Sequence, residues 1–225
     1  MSLSSPSARQ SVRSAGSERA RCGGAVGALL LIAVAAFSDG ASAHALSPGL
    51  NDFTAGVLHP LTALEHVLPM IALGVLAGQR GLHQSEPVLI VFPLAFAAGA
   101  VAGLLLPGAP GVFAVNVASA VVLGMLIALA RRLPMLALCG LCIAFGLSHG
   151  YANGGAIEGS IKPLPFVGGL ALAAFFTLAA ATTASDFMVR QSCAWTQIGV
   201  RVMGSWTAAI GVLVLSIGHK LAFGV

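Results

Sequence analysis

Three residues that can bind a metal or carry a proton lie within eight positions of one apolar segment: His59, Glu65 and His66. The segment around them runs from residue 53 to residue 77. A transmembrane helix needs ~20 such residues, and an ionised group at its centre costs ~2.5 kcal/mol or more. Because three such groups in one span are that costly, the cluster predicts a functional site. Imidazole and carboxylate together suit a divalent transition metal.

One straight helix does not present all three residues to a single ion. His59 and His66 are seven residues apart and share a helix face, whereas Glu65 points ~100° away from His66. Pro60 removes a backbone donor and can bend the turn that carries His59. The structural alternative is that each group is a hydrogen-bond partner between helices, with Glu65 a neutral acid. The cluster favours function over that alternative.

The composition is that of a polytopic membrane protein with an all-α fold. Hydrophobic residues make up 57% of the 225 residues and charged residues 8%, against ~25% charged residues in soluble proteins. Apolar runs separated by turn-rich stretches predict six transmembrane helices. These are about 53–77, 88–106, 112–130, 134–152, 164–185 and 198–219. No Gly-rich phosphate-binding loop occurs, so an ATP-driven engine within this chain is not expected.

The first 43 residues have the pattern of a cleavable signal peptide. Four arginines precede an apolar run at 23–37, and Ala41, Ser42 and Ala43 form a small-x-small cleavage site. The alternative is an uncleaved anchor helix, but 15 apolar residues are short for a span. The expected division is therefore a signal peptide at 1–43 and a six-helix transmembrane domain at 44–225.

Cleavage there would make His44 the N-terminal residue of the mature chain. Its free amine and its ring nitrogen could then chelate one metal ion, with Asp52 and His59 a short way downstream. The alternative is that His44 is simply the residue that cleavage exposes, with no role of its own.

The distribution of basic residues predicts the orientation. With the mature N-terminus outside, the inner loops carry or adjoin five basic residues and the outer loops two, as the positive-inside rule requires. The five are Arg80, Arg131, Arg132, Arg190 and Arg201, and the two are Lys162 and Lys220. We therefore expect a multi-pass protein of the bacterial inner membrane with both mature termini in the periplasm. The mature chain has seven Lys/Arg and five Asp/Glu, a net charge of +2, which gives no reason to expect a nucleic-acid partner.

The fourth predicted span carries a second group of polar residues. Helical spacing puts one set on a common face: Cys139, Cys142, Gly146, His149 and Asn153. Glycines at every fourth position from 146 to 154 predict that another helix packs closely beside it. A count along straight helices places His59 and His149 at similar depth, with Glu65 and His66 nearer the midplane. That count predicts a cation path from His44 and Asp52 through these two levels.

Other readings of these segments remain open. Gly146-Leu-Ser148-His-Gly150 matches the serine-hydrolase pattern, although that motif requires a strand, a turn and a helix. The two cysteines could be ligands, although buried Cys is usually a small hydrophobe. Met70 fits core packing, and Thr182 and Ser185 most simply solvate the inner end of the fifth span. His59, His66 and His149 could also be axial ligands in a haem or copper electron-transfer protein.

The first cluster resembles a motif of the HupE/UreJ family of hydrogenase and urease accessory nickel permeases. That motif reads His-Pro-x-x-Gly-x-Asp-His. Residues 59, 60 and 66 match its His, Pro and second His, while Ala63 and Glu65 replace its Gly and Asp.

The family's second motif, Phe-His-Gly-x-Ala-His-Gly-x-Glu, aligns with residues 148–156. Four residues match it: His149, Gly150, Ala152 and Gly154. Asn153 replaces the second His, and Ala156 replaces the Glu. The signal peptide and the six spans also fit, so the resemblance covers essentially the whole chain.

The resemblance implies uptake of Ni²⁺ or Co²⁺ for metalloenzyme assembly, without enzymatic activity and without a permanently bound cofactor. The ligand types leave Zn²⁺ and Cu open as cargo. The expected partners are membrane lipid and the divalent metal ion, and homo-oligomerisation is left open. Taken with the positions above, the expected metal ligands are His44, Asp52, His59, Glu65, His66, His149 and Asn153.

Overall fold

The computed structural model describes residues 51–106, 108–157, 161–191 and 194–223, with residues 194 and 218–223 described by their backbone alone. The predicted signal peptide, 1–43, and His44 lie outside these residues. The described part of the chain forms seven α-helices and one short 3-10 helix, with no strand. The all-α prediction is confirmed for this part of the chain.

The helices are, in chain order, α1 (Asp52–Thr62), α2 (Leu64–Gly78), the 3-10 helix (Leu82–Ser85), α3 (Glu86–Leu105), α4 (Val112–Ala128), α5 (Met135–Gly155), α6 (Pro163–Arg190) and α7 (Ala194–Phe223). An α-helix satisfies its backbone hydrogen bonds within one segment, which is the requirement that lipid imposes on a single span. Within the described residues the apolar runs are therefore helical, apart from the break at Ala63.

Among the described residues, four segments are long and apolar enough to cross a membrane: Leu82–Leu105, Met135–Gly155, Pro163–Arg190 and Trp195–Ile217. The pair α1 and α2 makes a fifth if it is counted as one bent span. Helix α4 is apolar but has only 17 residues. The described part of the chain thus has four or five candidate spans by length and composition, which is compatible with a polytopic membrane protein, and the number six stays a prediction.

The first predicted span is broken where its chemistry is concentrated. Helices α1 and α2 meet at an angle of 79°, and Ala63 between them has extended backbone angles, φ −107° and ψ 116°. Pro60 lies three residues earlier, inside α1. Because the chain leaves the helix at Ala63, the hydroxyl of Thr62 donates to the carbonyl of His59 at 3.0 Å instead. The bend expected from Pro60 is present, and it is centred on Ala63.

Glycines bring α3 and α5 into backbone contact. A Cβ added at Gly150 would collide with the carbonyl oxygen of Phe96, and one at Gly154 with that of Ala100. Gly146 lies against the same face of α3. Small residues allow this approach where lipid offers no hydrophobic drive to helix association. The close approach predicted from the glycine spacing is confirmed.

Helix α6 packs against both halves of the bent pair. A Cβ on Gly56 of α1 would collide with the carbonyl of Phe166, and one on Gly74 of α2 would lie 2.7 Å from the Cβ of Ala181. These two contacts hold α1 and α2 on one neighbour, which fixes the angle between them. The bend is therefore supported by packing as well as by Pro60.

Loops with basic residues meet at one end of the bundle. The guanidinium of Arg80 donates to the carbonyl of Leu133, at the end of the loop that contains residues 131 and 132. The backbone N–H of Leu82 donates to the carboxylate of Asp186 at 3.2 Å, and that carboxylate also pairs with Arg190 at 2.8 Å. Two loops and the end of α6, all predicted to face the same side of the membrane, are thus neighbours in space.

The sequence suggested that Thr182 and Ser185 solvate a helix end, but the structure places them elsewhere. Helix α6 continues to Arg190, so both lie inside it and are buried, at 0% and 2% exposure. Ser185 donates its hydroxyl to the carbonyl of Val75 at 2.8 Å. The hydroxyl oxygen of Thr182 is buried without a hydrogen-bond partner among the described residues. The expectation was wrong because the apolar run understates the length of the helix.

Candidate functional site

Two histidines from distant parts of the chain touch inside the bundle. His66 is the third residue of α2 and His149 lies six residues before the end of α5, and their Nδ1 atoms are 3.0 Å apart. Both side chains are buried, at 5% and 0% exposure. The bend at Ala63 positions the first turn of α2, and the neighbouring Gly150 positions His149 by packing on α3. Contacts that set the fold therefore also set this pair.

The two rings face one another through these nitrogens. Their centroids are 5.3 Å apart and their planes are inclined by 79°. The difference between this separation and the Nδ1 to Nδ1 distance equals two imidazole ring radii, so both nitrogens lie close to the line between the centroids. This is the geometry of a linear N–H···N hydrogen bond, in which one ring donates and the other accepts.

Two residues of α4 extend this contact. The Oγ atom of Ser119 lies 2.8 Å from Nε2 of His149, and the Ser119 hydroxyl donates to the carbonyl oxygen of Asn116 at 2.5 Å. Ser119 is 0% and Asn116 1% exposed. A buried network whose members are all partnered holds its side chains in one arrangement. The network therefore fixes the orientation of the His149 ring.

Asn153 lies one turn after His149 on the same face of α5. Its amide nitrogen donates to the backbone carbonyl of His149 at 2.8 Å. Its Oδ1 atom is buried and has no hydrogen-bond partner among the described residues. A buried acceptor without a partner costs ~1–3 kcal/mol, and such atoms mark places where a bound species can supply the missing contact.

The other predicted ligands in the described chain lie nearer the surface. His59 is half-buried, with its ring on that of Phe166 at a centroid distance of 5.6 Å. Glu65 and Asp52 are also half-buried and occupy the first turns of α2 and α1. A carboxylate there interacts favourably with the positive end of the helix dipole. Both acids therefore have a structural role whether or not they contact an ion.

The described residues bring no three His, Cys, Asp or Glu side chains close enough to hold one metal ion. Of the expected ligands, His66 and His149 are joined directly, and Asn153 is attached to the backbone of His149. His44 is outside the described chain. The structure thus gives a two-histidine centre with a neighbouring amide oxygen.

The pairing within this centre differs from the count along straight helices. That count matched His149 with His59 and placed His66 deeper, whereas the structure puts His66 against His149. The reason is the 79° bend, since residues before Ala63 no longer continue the axis of α2. The count predicts similar depths for His59 and His149, and it does not predict the contact between His66 and His149.

Sequence reasoning missed Asn116 and Ser119. They are three residues apart in an otherwise apolar helix, so they fall on one face. A Ser or Asn in an apolar helix usually bonds to its own backbone, which gives little reason to single it out. The signal that could have found them is the pair itself, because two polar groups on one face of a short span need a partner.

Residues 146–150 match the serine-hydrolase pattern in sequence but not in local structure. Ser148 lies within the continuous helix α5, and its hydroxyl donates to Oδ1 of Asn116 at 2.7 Å. The motif requires a sharp turn between a strand and a helix, which is absent here.

Cys142 is buried, and Cys139 is half-buried beside it on α5. Met70 is buried in the core at 0% exposure, as expected.

The two motifs that supply the histidine pair also carry a family relationship. The family model described as HupE / UreJ protein matches residues 32–214. No curated protein and no solved structure shows significant similarity to the chain. Since the match covers most of the chain, including every helix that contributes to the histidine centre, the protein belongs to the HupE/UreJ family.

Proposed function

We propose that this protein is a permease that takes up a divalent transition metal, Ni²⁺ first and Co²⁺ second, for metalloenzyme assembly. The observation that carries the proposal is the contact of His66 with His149, which joins the family's two motifs inside the bundle. We assign the protein no enzymatic activity and no permanently bound cofactor. The metal is cargo, with Zn²⁺ and Cu as competing ions to be tested.

A centre with few ligands suits transport. A site that conducts an ion must bind it well enough to admit it and weakly enough to release it. The imidazole of His66, held by His149, and one amide oxygen, with Glu65 in the adjoining turn, supply donors that suit Ni²⁺ and Co²⁺ without a complete coordination shell. We propose that the incoming ion contacts His44, Asp52 and His59 in turn before it reaches this centre.

We further propose that the protein lies in the bacterial inner membrane. The end of the bundle where Arg80 meets Leu133 and where Arg190 pairs with Asp186 would be cytoplasmic under the positive-inside rule. Both mature termini would then be periplasmic. The partners are membrane lipid and the metal ion, not nucleic acid, and we make no assignment of oligomeric state.

The competing functions fit the geometry less well. Axial haem ligands bind iron from opposite sides, and nitrogens 3.0 Å apart leave no space for iron between them. In a serine hydrolase the nucleophile donates its proton to histidine. Here Ser119, whose hydroxyl oxygen lies 2.8 Å from a ring nitrogen of His149, donates to the carbonyl of Asn116 instead. Both arguments favour the permease.

The test of this function is metal uptake by purified protein in proteoliposomes that contain a metal-sensitive dye. We expect saturable entry of Ni²⁺, inhibition by Co²⁺, and no entry into liposomes without protein. Equal rates with and without protein for all four metals would overturn the proposal. A Soret band in the purified protein would favour the haem alternative.

Glu65→Gln is expected to weaken metal affinity. The substitution removes a negative charge from the turn beside His66 while preserving size and one acceptor oxygen. Glu65→Asp keeps the charge and restores the carboxylate of the family motif, so it is the matched control and should stay close to the wild type. Half-saturating Ni²⁺ concentration in proteoliposomes measures both. Equal values for Gln and wild type would make Glu65 a structural residue at the helix start.

The mature chain is expected to begin at His44. Intact mass of the protein purified from membranes would give the cleavage site directly. We expect His44→Ala to slow uptake mainly at low external metal, because a terminal amine and imidazole concentrate the ion before it enters. Retention of residues 1–43 in the purified protein would remove the chelating amine and with it this role.

A further inference from the structure

The hydrogen bonds around His149 determine which of its ring nitrogens carries the proton. Ser119 has one hydroxyl proton, and the carbonyl oxygen of Asn116, which can only accept, receives it at 2.5 Å. Nε2 of His149 lies 2.8 Å from the same hydroxyl oxygen, so Nε2 must donate to it. A neutral imidazole carries one N–H. Nδ1 of His149 is therefore an acceptor.

The same reasoning extends to His66. Because Nδ1 of His149 accepts, Nδ1 of His66, 3.0 Å away, must be the donor. The single proton of the neutral His66 ring is then on Nδ1, and its Nε2 has a lone pair and no proton. A histidine that binds a metal generally donates its other ring N–H to a neighbouring acceptor, which fixes its tautomer and orientation. His66 has this arrangement, and His149 is the acceptor.

We propose that Ser119 is a positioning residue that, through His149, holds His66 in the tautomer whose Nε2 binds the transported divalent metal. The role of the metal rests on the function proposed above, whereas the tautomers follow from the hydrogen bonds alone. In this arrangement His66 contacts the ion and His149 orients His66. The chain of donors therefore runs from His66 to His149 to Ser119 and ends on the backbone of Asn116.

Loss of the Ser119 hydroxyl would reverse this chain. With no oxygen to receive it, the Nε2 proton of His149 would be buried without an acceptor, which is disfavoured. His149 would then carry its proton on Nδ1 and donate it to His66. His66 would in turn carry its proton on Nε2, where it blocks metal binding. Ser119 never touches the ion, yet its removal closes the binding nitrogen.

The first test measures the tautomers themselves, by solid-state NMR of metal-free protein in bilayers with ¹⁵N-labelled histidine. A coupling between two ring nitrogens across a hydrogen bond identifies the pair, and His66→Gln and His149→Gln assign it. We expect a protonated Nδ1 and a bare Nε2 for His66, and the reverse for His149. A protonated Nε2 on His66 overturns the proposal, and this result does not depend on whether the protein transports metal.

The second test measures uptake by three variants. Residues that orient a metal ligand through hydrogen bonds typically contribute 10–100-fold to metal affinity. Ser119→Ala should therefore raise the KM for Ni²⁺ by about that factor, with little change in maximal rate. Ser119→Thr keeps the hydroxyl and should restore the wild-type KM. Ser148→Ala is the matched control, since it removes a hydroxyl bonded to the side chain of Asn116, outside the donor chain.

An unchanged KM in Ser119→Ala would overturn the proposal, as would equal effects of Ser119→Ala and Ser148→Ala. Absence of uptake by the wild type would count against the permease function and leave the tautomers to be decided by the spectrum. If no Ser119 variant can be purified, the spectrum of the wild type alone decides.

Discussion

Replacement of His66 by alanine is expected to reduce metal uptake to the level of protein-free liposomes. The substitution removes the one ring that both faces His149 and presents a free nitrogen to the ion. Residues that only hydrogen-bond to a metal ligand contribute 10–100-fold to metal affinity, so loss of a residue that binds the metal itself should cost at least as much. Radiolabelled nickel uptake over a range of external concentrations measures the effect. At metal concentrations near the wild-type KM the rate should therefore equal that of protein-free liposomes, and because the loss is one of binding, a large excess of metal should restore part of it.

The alanine variant also leaves Nδ1 of His149 without its partner, which costs ~1–3 kcal/mol in a buried site. His66→Gln separates binding from folding, because its amide can still donate to His149 while it offers no imidazole nitrogen. We expect Gln to behave like Ala in uptake and like the wild type in yield and thermal unfolding. Wild-type uptake by the Gln variant would remove His66 from the metal site.

His83→Ala is the matched histidine control. The His83 side chain is 91% exposed, and its Nδ1 atom lies 3.6 Å from a carboxylate oxygen of Glu86. It follows the end of α2 that is opposite to His66. Its removal changes the histidine count of the protein without touching the buried pair. Uptake by this variant should equal that of the wild type. A loss as large as that of His66→Ala would indicate that the assay reports something other than the buried centre.

The helices could be predicted because lipid imposes a simple rule on sequence. A segment that crosses the membrane must be apolar and helical, so the apolar runs among the described residues could be predicted as helices. The break at Ala63 was harder to place, because hydropathy stays high on both sides of it. Pro60 indicated that a bend was available. Its position and its angle of 79° depend on the packing of Gly56 and Gly74 against α6, which the sequence of one helix does not contain.

The two histidines of the candidate site could be predicted from the sequence, but the contact between them could not. His66 and His149 stand out because ionisable groups are rare in apolar helices. Which histidines come into contact depends on the path of the backbone, and the contact of His66 with His149 follows only once the bend at Ala63 is known. The part of Ser119 in the site could not be predicted, because a serine in an apolar helix usually bonds to the backbone of its own helix. Its role appears only when α4 is placed beside α5.

The second large effect is expected for Gly150→Ala, on stability and uptake together. The added Cβ would collide with the carbonyl oxygen of Phe96, so α3 and α5 must separate by ~1 Å to reach normal contact distances. Overpacking of this kind costs ~1–3 kcal/mol. The neighbouring residue is His149, whose contact with His66 is 3.0 Å long and would be lost beyond ~3.5 Å. The helix contact and the histidine pair should therefore fail together.

Gly140→Ala provides the control on the same helix. A Cβ there meets no atom within 4 Å, and alanine favours a helix over glycine by ~1 kcal/mol. The midpoint of thermal unfolding in detergent should therefore fall for Gly150→Ala and stay level or rise for Gly140→Ala, with uptake following the same order. If both variants unfold and transport like the wild type, then α3 and α5 are not in backbone contact. The position of His149 would then need another support, because α3 could no longer be what holds α5 against α2.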